Sequence, residues 1–344
     1  MRCFWGILFG LFLCQHRGDA ATRKRYHFAK GKTRYETMKA KTNKPIIGVL
    51  LQEVDGKHLA LGSGQYLSAS YVKMVESAGA RVAPIFIDRT PKEIEKLFYS
   101  INGAIFPGGH VKLNVSRYAT VGKQIFELAL KSNQEGRVFP IWAECLGLET
   151  ISLIASGYGF AKGQYDERLL IFNDAKNFST TLNFHNFETS TFFRNTPRRF
   201  ISYMENTPFA YNNHDKGISP QTYRKIKRLY SLFRITSTSY DREGVEFIST
   251  LEGRRYPFFL LHWHPSKAQF EWSRVLNIFH SAKAVAISQS LINGFVNLAS
   301  LNDHKFASIQ EEDDALIYKY TTTYTEPLGT SMQMYFFKYD PHAV

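Results

Sequence analysis

Between residues 45 and 144 the chain returns repeatedly to one arrangement, a strand-length run of branched or aromatic apolar residues followed by a longer stretch with helical spacing. PIIGVLLQE (45–53), RVAPIFI (81–87), NGAIFPGG (102–109) and VFPIWAE (138–144) are the runs. Runs that are apolar throughout belong to strands covered on both faces, and strands alternating with helices build a parallel sheet between helical layers. The segments between them fit. QYLSASYVKMVESAGAR (65–81) places Tyr66, Ala69, Val72, Met74 and Val75 on an inner helical face, with Gly79 as its stop. Thr90-Pro-Lys-Glu93 is a capping box with proline at the first helical position and opens a second helix, and RYATVGKQIFELALKS (117–132) makes a third. The expected fold is α/β, a central, mostly parallel sheet flanked by helices in three layers.

Beyond residue 157 the alternation loosens. FAYNNHDKGISP (209–220) reads as a surface loop, VEFISTLEG (245–253) and YPFFLLHWHP (256–265) as two later strands, and AKAVAISQSLINGFVNLASL (282–301) as a long final helix. No repeat or flexible linker interrupts 45–300, so one domain, set at 45–320, is expected. Residues 321–344 follow as a polar-aromatic tail that packs on or caps it.

The first residues, MRCFWGILFGLFLCQHRGDA, join an early arginine to an apolar stretch and then small residues. That is the pattern of a secretory signal peptide over 1–20. No later segment supplies roughly 18 uninterrupted apolar residues, so no membrane span is expected. The reading is a chain of the secretory or lysosomal (or vacuolar) pathway, with Asn114-Val-Ser and Asn177-Phe-Ser as glycosylation sequons. Residues 21–44 hold nine Lys or Arg against one acid, a net +8 out of the whole chain's +13. The charge is therefore a local basic segment, a linker or propeptide, and no aromatic-interleaved motif follows it to suggest nucleic-acid binding.

With Cys3 and Cys14 inside the leader, Cys145 is the one cysteine left. It ends a buried strand and precedes helix-forming residues, which puts its sulfur on a tight turn at a helix N-terminus, where free amides favour thiolate. A buried apolar filler is the plain alternative. In a parallel sheet, ligands gather at the carboxyl ends of strands, and Gly108, Gly109 and Cys145 share that edge. The amide of Leu146 and one from Pro107-Gly108-Gly109 would then be oxyanion donors. Among the histidines, His262 and His264 in LLHWHPSK are two apart on a strand and so share a face. His264, just before Pro265, is the better general base. With Cys145 these histidines could also make three zinc ligands, a reading set aside because zinc sites show more ligands than this chain offers.

PGG, ECLGLE and YPFFLLHWHPSKAQFEW, with SASYVKMVESAGARVAPI, EFISTLEG and DALIYKY, resemble the γ-glutamyl hydrolase family of the class I glutamine amidotransferase-like superfamily. The resemblance runs over most of 45–320. It implies the superfamily's flavodoxin-like three-layer fold and a cysteine-type omega peptidase. Such an enzyme hydrolyses folylpoly-γ-glutamates or other γ-glutamyl substrates without metal or cofactor, and a homodimer is compatible with it. Cys145 would be the nucleophile, His264 the proton carrier, Gly109 and Leu146 the oxyanion hole, and His214, Tyr66 and Glu149 substrate-contacting positions.

Three residues depart from the family pattern. Many relatives carry an acid two residues after the histidine, and here that possible third triad position is Ser266. Relatives usually have glycine where Ala143 stands, and alanine would strain the turn if the position needs positive φ. Glu144, beside the nucleophile, would raise the thiol pKa if it points inward. These departures motivate the alternative of a catalytically silent γ-glutamyl or folate-binding homologue.

Overall fold

The computed structural model describes residues 33–54, 56–61, 64–113, 115–157, 168–328 and 331–340. The expected leader, the first part of the basic segment and Asn114 of the first sequon lie outside these residues.

A sheet of eight strands forms the centre. The strands β1 (Ile46–Leu50), β4 (Arg81–Ile85), β5 (Gly103–Phe106), β6 (Ile141–Glu144) and β12 (Phe258–Leu261) are its parallel part, in the order β4-β1-β5-β6-β12. The sheet then turns antiparallel through β11 (Glu246–Gly253), β10 (Phe233–Tyr240) and the short β8 (Asn183–Phe184). Every residue of β1, β5, β6 and β12 is buried, the property that made these runs apolar throughout.

Four helices follow the early strands, α1 (Ala69–Ser77), α2 (Pro91–Phe98), α3 (Arg117–Gln134) and α4 (Leu146–Ser156). α2 starts at the capping box, with Thr90 accepting from the Glu93 amide and Glu93 reaching back to the Thr90 amide. α3 buries Tyr118, Val121, Ile125 and Ala129, three or four residues apart, and packs against α2 and α4. α1 packs with the long helix Ala282–Ala299.

Three segments differ from the sequence reading. The first helix begins only at Ala69, because Gln65–Ser68 is a strand, β3, and Tyr66 lies on it. β3 sits in a second sheet of order β13-β14-β3-β2, made with β2 (Gln52–Glu53), β13 (Thr322–Tyr324) and β14 (Gln333–Phe337). The expected loop 209–220 is mostly a strand, β9 (Ala210–Gly217), paired antiparallel with β7 (Ile171–Thr180) in a two-stranded ribbon. Its polar sequence misled because the ribbon buries asparagine and histidine among side-chain partners instead of apolar residues. The basic segment, from Thr33 on, keeps most of its side chains exposed but is anchored to the domain. Tyr35 is buried in the main core and donates to the Arg255 carbonyl, and the Lys41 amide bonds the Ser300 carbonyl.

Among the described residues no helix is long and apolar enough to cross a membrane.

Candidate active site

Cys145 takes the single step between β6 and α4, as the N-cap of the helix, at φ 52° and ψ −109°. It is one of three described non-glycine residues with positive φ. Holding a β-carbon there costs on the order of 1–3 kcal/mol, so surrounding bonds must fix it. They do: its amide donates to the Leu261 carbonyl at 2.7 Å, extending the β6–β12 pairing, and its carbonyl accepts from Glu149 in the first turn of α4. Gly147 lets that turn lie on β5, since a β-carbon there would come within 2.3 Å of the Phe106 carbonyl oxygen. The strain expected at Ala143 is absent. Ala143 sits in regular β6, and the left-handed residue is the cysteine itself.

β12 ends at Leu261, so His262 and His264 do not share a strand face. His264 is tied by its amide to the Tyr211 carbonyl on β9, and its ring Nδ1 lies 2.8 Å from Glu144 Oε1. His262 points elsewhere. Its ring stacks on His214, 3.6 Å between centroids and 4° from parallel, and its Nε2 lies 3.3 Å from Glu149 Oε1. His214 reaches this pair from β9, with its two ring nitrogens 3.1 and 3.2 Å from the side-chain oxygens of Asn173 and Asn212.

Ser266 does not orient His264 directly. Its hydroxyl donates to Glu144 Oε1, the oxygen that also meets His264 Nδ1 and the Tyr71 hydroxyl, the last at 2.9 Å. Trp142 Nε1 donates to the other oxygen at 3.3 Å. A carboxylate only accepts, so His264 Nδ1 carries the proton and Nε2 is left as the base. That Nε2 is buried and has no hydrogen-bond partner.

Tyr71 also accepts from the Gly108 amide at 2.8 Å, which ties the 107–109 loop to the same network. At Gly108 a β-carbon would lie 2.8 Å from His264 Cε1 and 3.1 Å from Cys145 Cβ, so only glycine lets this backbone pass between them. Gln52 Nε2 donates to the Gly108 carbonyl at 2.8 Å, and Tyr66 holds Gln52 through its hydroxyl at 3.3 Å. The peptide is trans, so the Gly109 N–H faces away from Gln52.

Cys145, His264, Gly108, Gly109 and Tyr66 line one pocket together with Ser331 and Met334 from the C-terminal segment. A second hollow shares Gly109 and Cys145 with it and continues past Leu146, Glu149 and His214 to Lys112, Lys176 and Lys216.

Burial pushes the Cys145 thiol well up, with Glu149 and Glu144 adding to it against the opposing Leu146 amide and Lys267. Burial likewise lowers the His264 imidazole, outweighing the opposite pull of Glu144. Burial alone would raise Glu144, but the bonds from His264, Ser266 and Tyr71 together hold it below the usual carboxylate range. At neutral pH the site therefore rests as thiol, neutral imidazole and carboxylate. His214 is held well below the usual imidazole value by burial and by its two neighbouring histidines.

The sequence reading had Cys145, His264, Gly109 and Leu146 near one edge, and they line these hollows together. It placed Tyr66 on a helix face and His214 in a loop, whereas both arrive on strands. It missed Glu144 as a partner of the histidine, and Tyr71 and Gln52 as supports of the loop. One signal was available, a lone carboxylate closing an otherwise apolar strand, which burial obliges to find donors. Asn177 is mid-strand at φ 49°, its amide nitrogen bonded to the Val275 carbonyl and its oxygen to the Asn277 amide. Among the described residues no cluster of three His, Cys, Asp or Glu could hold a metal ion.

Residues 45–266 match the Peptidase C26 family. The chain is 39% identical to the γ-glutamyl hydrolase of Homo sapiens, over 86% of this chain and 90% of that one, and 40% identical to that of Bos taurus with the same shares. Among solved structures, the glutaminase domain of Trypanosoma brucei CTPS with bound acivicin superposes with a TM-score of 0.50 at 12% identity, over 76% of this chain and 95% of that one. That likeness shows the fold alone.

Proposed function

The chain belongs to the peptidase C26 family and is a cysteine-type γ-glutamyl peptidase, and from that premise we propose that Cys145 and His264 cleave folylpoly-γ-glutamates through a thioester. The observation that carries the reading is the shared pocket of Cys145 and His264, with the imidazole proton held on Nδ1 and Nε2 left open.

The resting pair is neutral, so attack begins with proton transfer. His264 Nε2 takes the thiol proton as Sγ bonds to the γ-carbonyl carbon and the carbonyl electron pair moves to oxygen. The backbone amides of Leu146 and Gly109 stabilise this oxyanion, each donor worth about 3 kcal/mol in known cases. As the oxyanion collapses the C–N bond breaks, and His264 gives its Nε2 proton to the departing amine. Water then attacks the thioester, with Nε2 as base, and releases the γ-carboxylic acid and the thiol.

The substrate class rests on the family resemblance and on charge. The hollow beyond Cys145 carries Lys112, Lys176 and Lys216 against Glu149 and Asp215, the last paired with Lys176, a slight positive balance that suits a chain with one α-carboxylate per residue. Tyr66 contacts substrate in the first pocket, while His214 and Glu149 shape the second. The secretory or lysosomal setting read from residues 1–20 belongs to this proposal.

The test is release of glutamate from a pteroyl-γ-glutamate chain by the purified protein, with Cys145→Ala as control. Release that disappears in the variant is the expected result. Undiminished release by Cys145→Ala removes Cys145 from the chemistry, and binding without release makes the chain a γ-glutamyl-binding homologue.

A further inference from the structure

We propose that Glu144 is the positioning acid of this site, supplying from the residue before the nucleophile the carboxylate that His-Pro-Glu relatives place two residues after the histidine. The inference rests on the Cys145–His264 reading above and adds a residue to it.

The exchange is visible in the sheet. β6 and β12 are parallel neighbours with Glu144 paired to Leu261, so the side chain of residue 144 and the loop 262–266 leaving β12 converge. Either strand can deliver an acid to the imidazole Nδ1. Here β6 does so, and the loop position holds Ser266, whose hydroxyl donates to the same carboxylate oxygen.

The burial of Glu144 is complete, and a bare carboxylate in such a place would be strongly disfavoured. Four donors converge on it, from Tyr71, Ser266, His264 and Trp142. A residue kept only for packing in an apolar strand needs no such set. The network also has a second end, since Tyr71 passes from Glu144 to the Gly108 amide. One carboxylate therefore fixes the tautomer and orientation of His264 and the loop that carries Gly109.

Its charge acts on both reacting groups. The titratable groups around the pair are Tyr71 on α1, Tyr118 on α3, Cys145 and Glu149 at the start of α4, Tyr211 and His214 on β9, His262 and Lys267 on either side of His264, and His58, Tyr66 and His110 on the pocket wall. A negative charge favours protonated His264 and protonated Cys145 alike. Removing it lowers both, so both limbs of the pH profile of kcat/KM move to lower pH whichever limb belongs to which group.

The experiment compares hydrolysis of a pteroyl-γ-glutamate chain by Glu144→Gln, Ser266→Ala, Glu144→Ala and Glu144→Ala/Ser266→Glu, with thermal melts to establish folding. Glu144→Gln is expected to lose about a hundredfold in kcat with KM within about threefold, and its kcat/KM bell is expected to move to lower pH. Ser266→Ala, which keeps the acid, loses less than about tenfold. The double variant restores an acid from the other side and recovers at least about tenfold over Glu144→Ala. If Glu144→Gln does not fold, the comparison of Glu144→Ala with the double variant stands in its place. A folded Glu144→Gln with kcat and pH limbs unchanged, while Cys145→Ala is inactive, overturns this inference alone. So does a folded double variant no faster than Glu144→Ala. Full activity of Cys145→Ala overturns the underlying reading instead.

Discussion

Cys145 carries two constraints, a left-handed backbone and a buried thiol, and both are held by neighbours a few ångströms away. Gly108 is one of these. Gly108→Ala drives a β-carbon against His264 Cε1 and Cys145 Cβ, so kcat is expected to fall by about a hundredfold and the melting temperature to drop, measured by glutamate release and calorimetry. A pH dependence follows from His264. Its imidazole is held low, and the base must be neutral, so kcat/KM is expected to stay high below the ordinary imidazole pKa of about 6.5 and to fall only at more acid pH. An acidic limb at or above about 6.5 would contradict this. Cys145 and His264 were legible in the sequence because each sits beside a strand end that local pattern reveals. Glu144 was not, because its meaning depends on β12 being the neighbour of β6, a pairing of residues more than a hundred positions apart.

Among elements, the ones that agreed with the sequence are those whose pattern is set locally. The Thr90 capping box opens α2 as expected, and Thr90→Ala should cost about 1 kcal/mol of stability, read by denaturant unfolding, with kcat unaltered. β9 and β3 disagreed because their neighbours decide their conformation. β9 is polar yet buried through its pairing with β7, and β3 exists because β14 returns from near the C-terminus to pair with it. β14 has a functional consequence. Removing residues 321–344 strips the β3 edge and takes Ser331 and Met334 from the wall of the cysteine pocket. This truncation should lower the melting temperature and raise KM. Unchanged values of both would show that the second sheet supports neither stability nor substrate.

For the whole molecule, apolar runs alternating with helices were enough to give a parallel sheet, while in the antiparallel half β11 was readable as a strand but β10 and β8, mixed and partly polar, were not. The interior also holds titratable groups that shape its stability. His214, His264 and His304 are lowered in the folded state by burial, so below about pH 6.5 the unfolded chain binds protons that the folded chain does not. Stability should decline as pH falls from about 6.5 toward 5, and a melting temperature flat across that window would contradict the account. The central claim remains the covalent one, that Cys145 attacks the γ-carbonyl. The most direct measurement is intact mass analysis of the protein quenched during turnover of a pteroyl-γ-glutamate chain, followed by peptide mapping. The account predicts an acyl adduct on the peptide containing Cys145, absent in Cys145→Ala. Turnover with no adduct on that peptide under any quench time would contradict it.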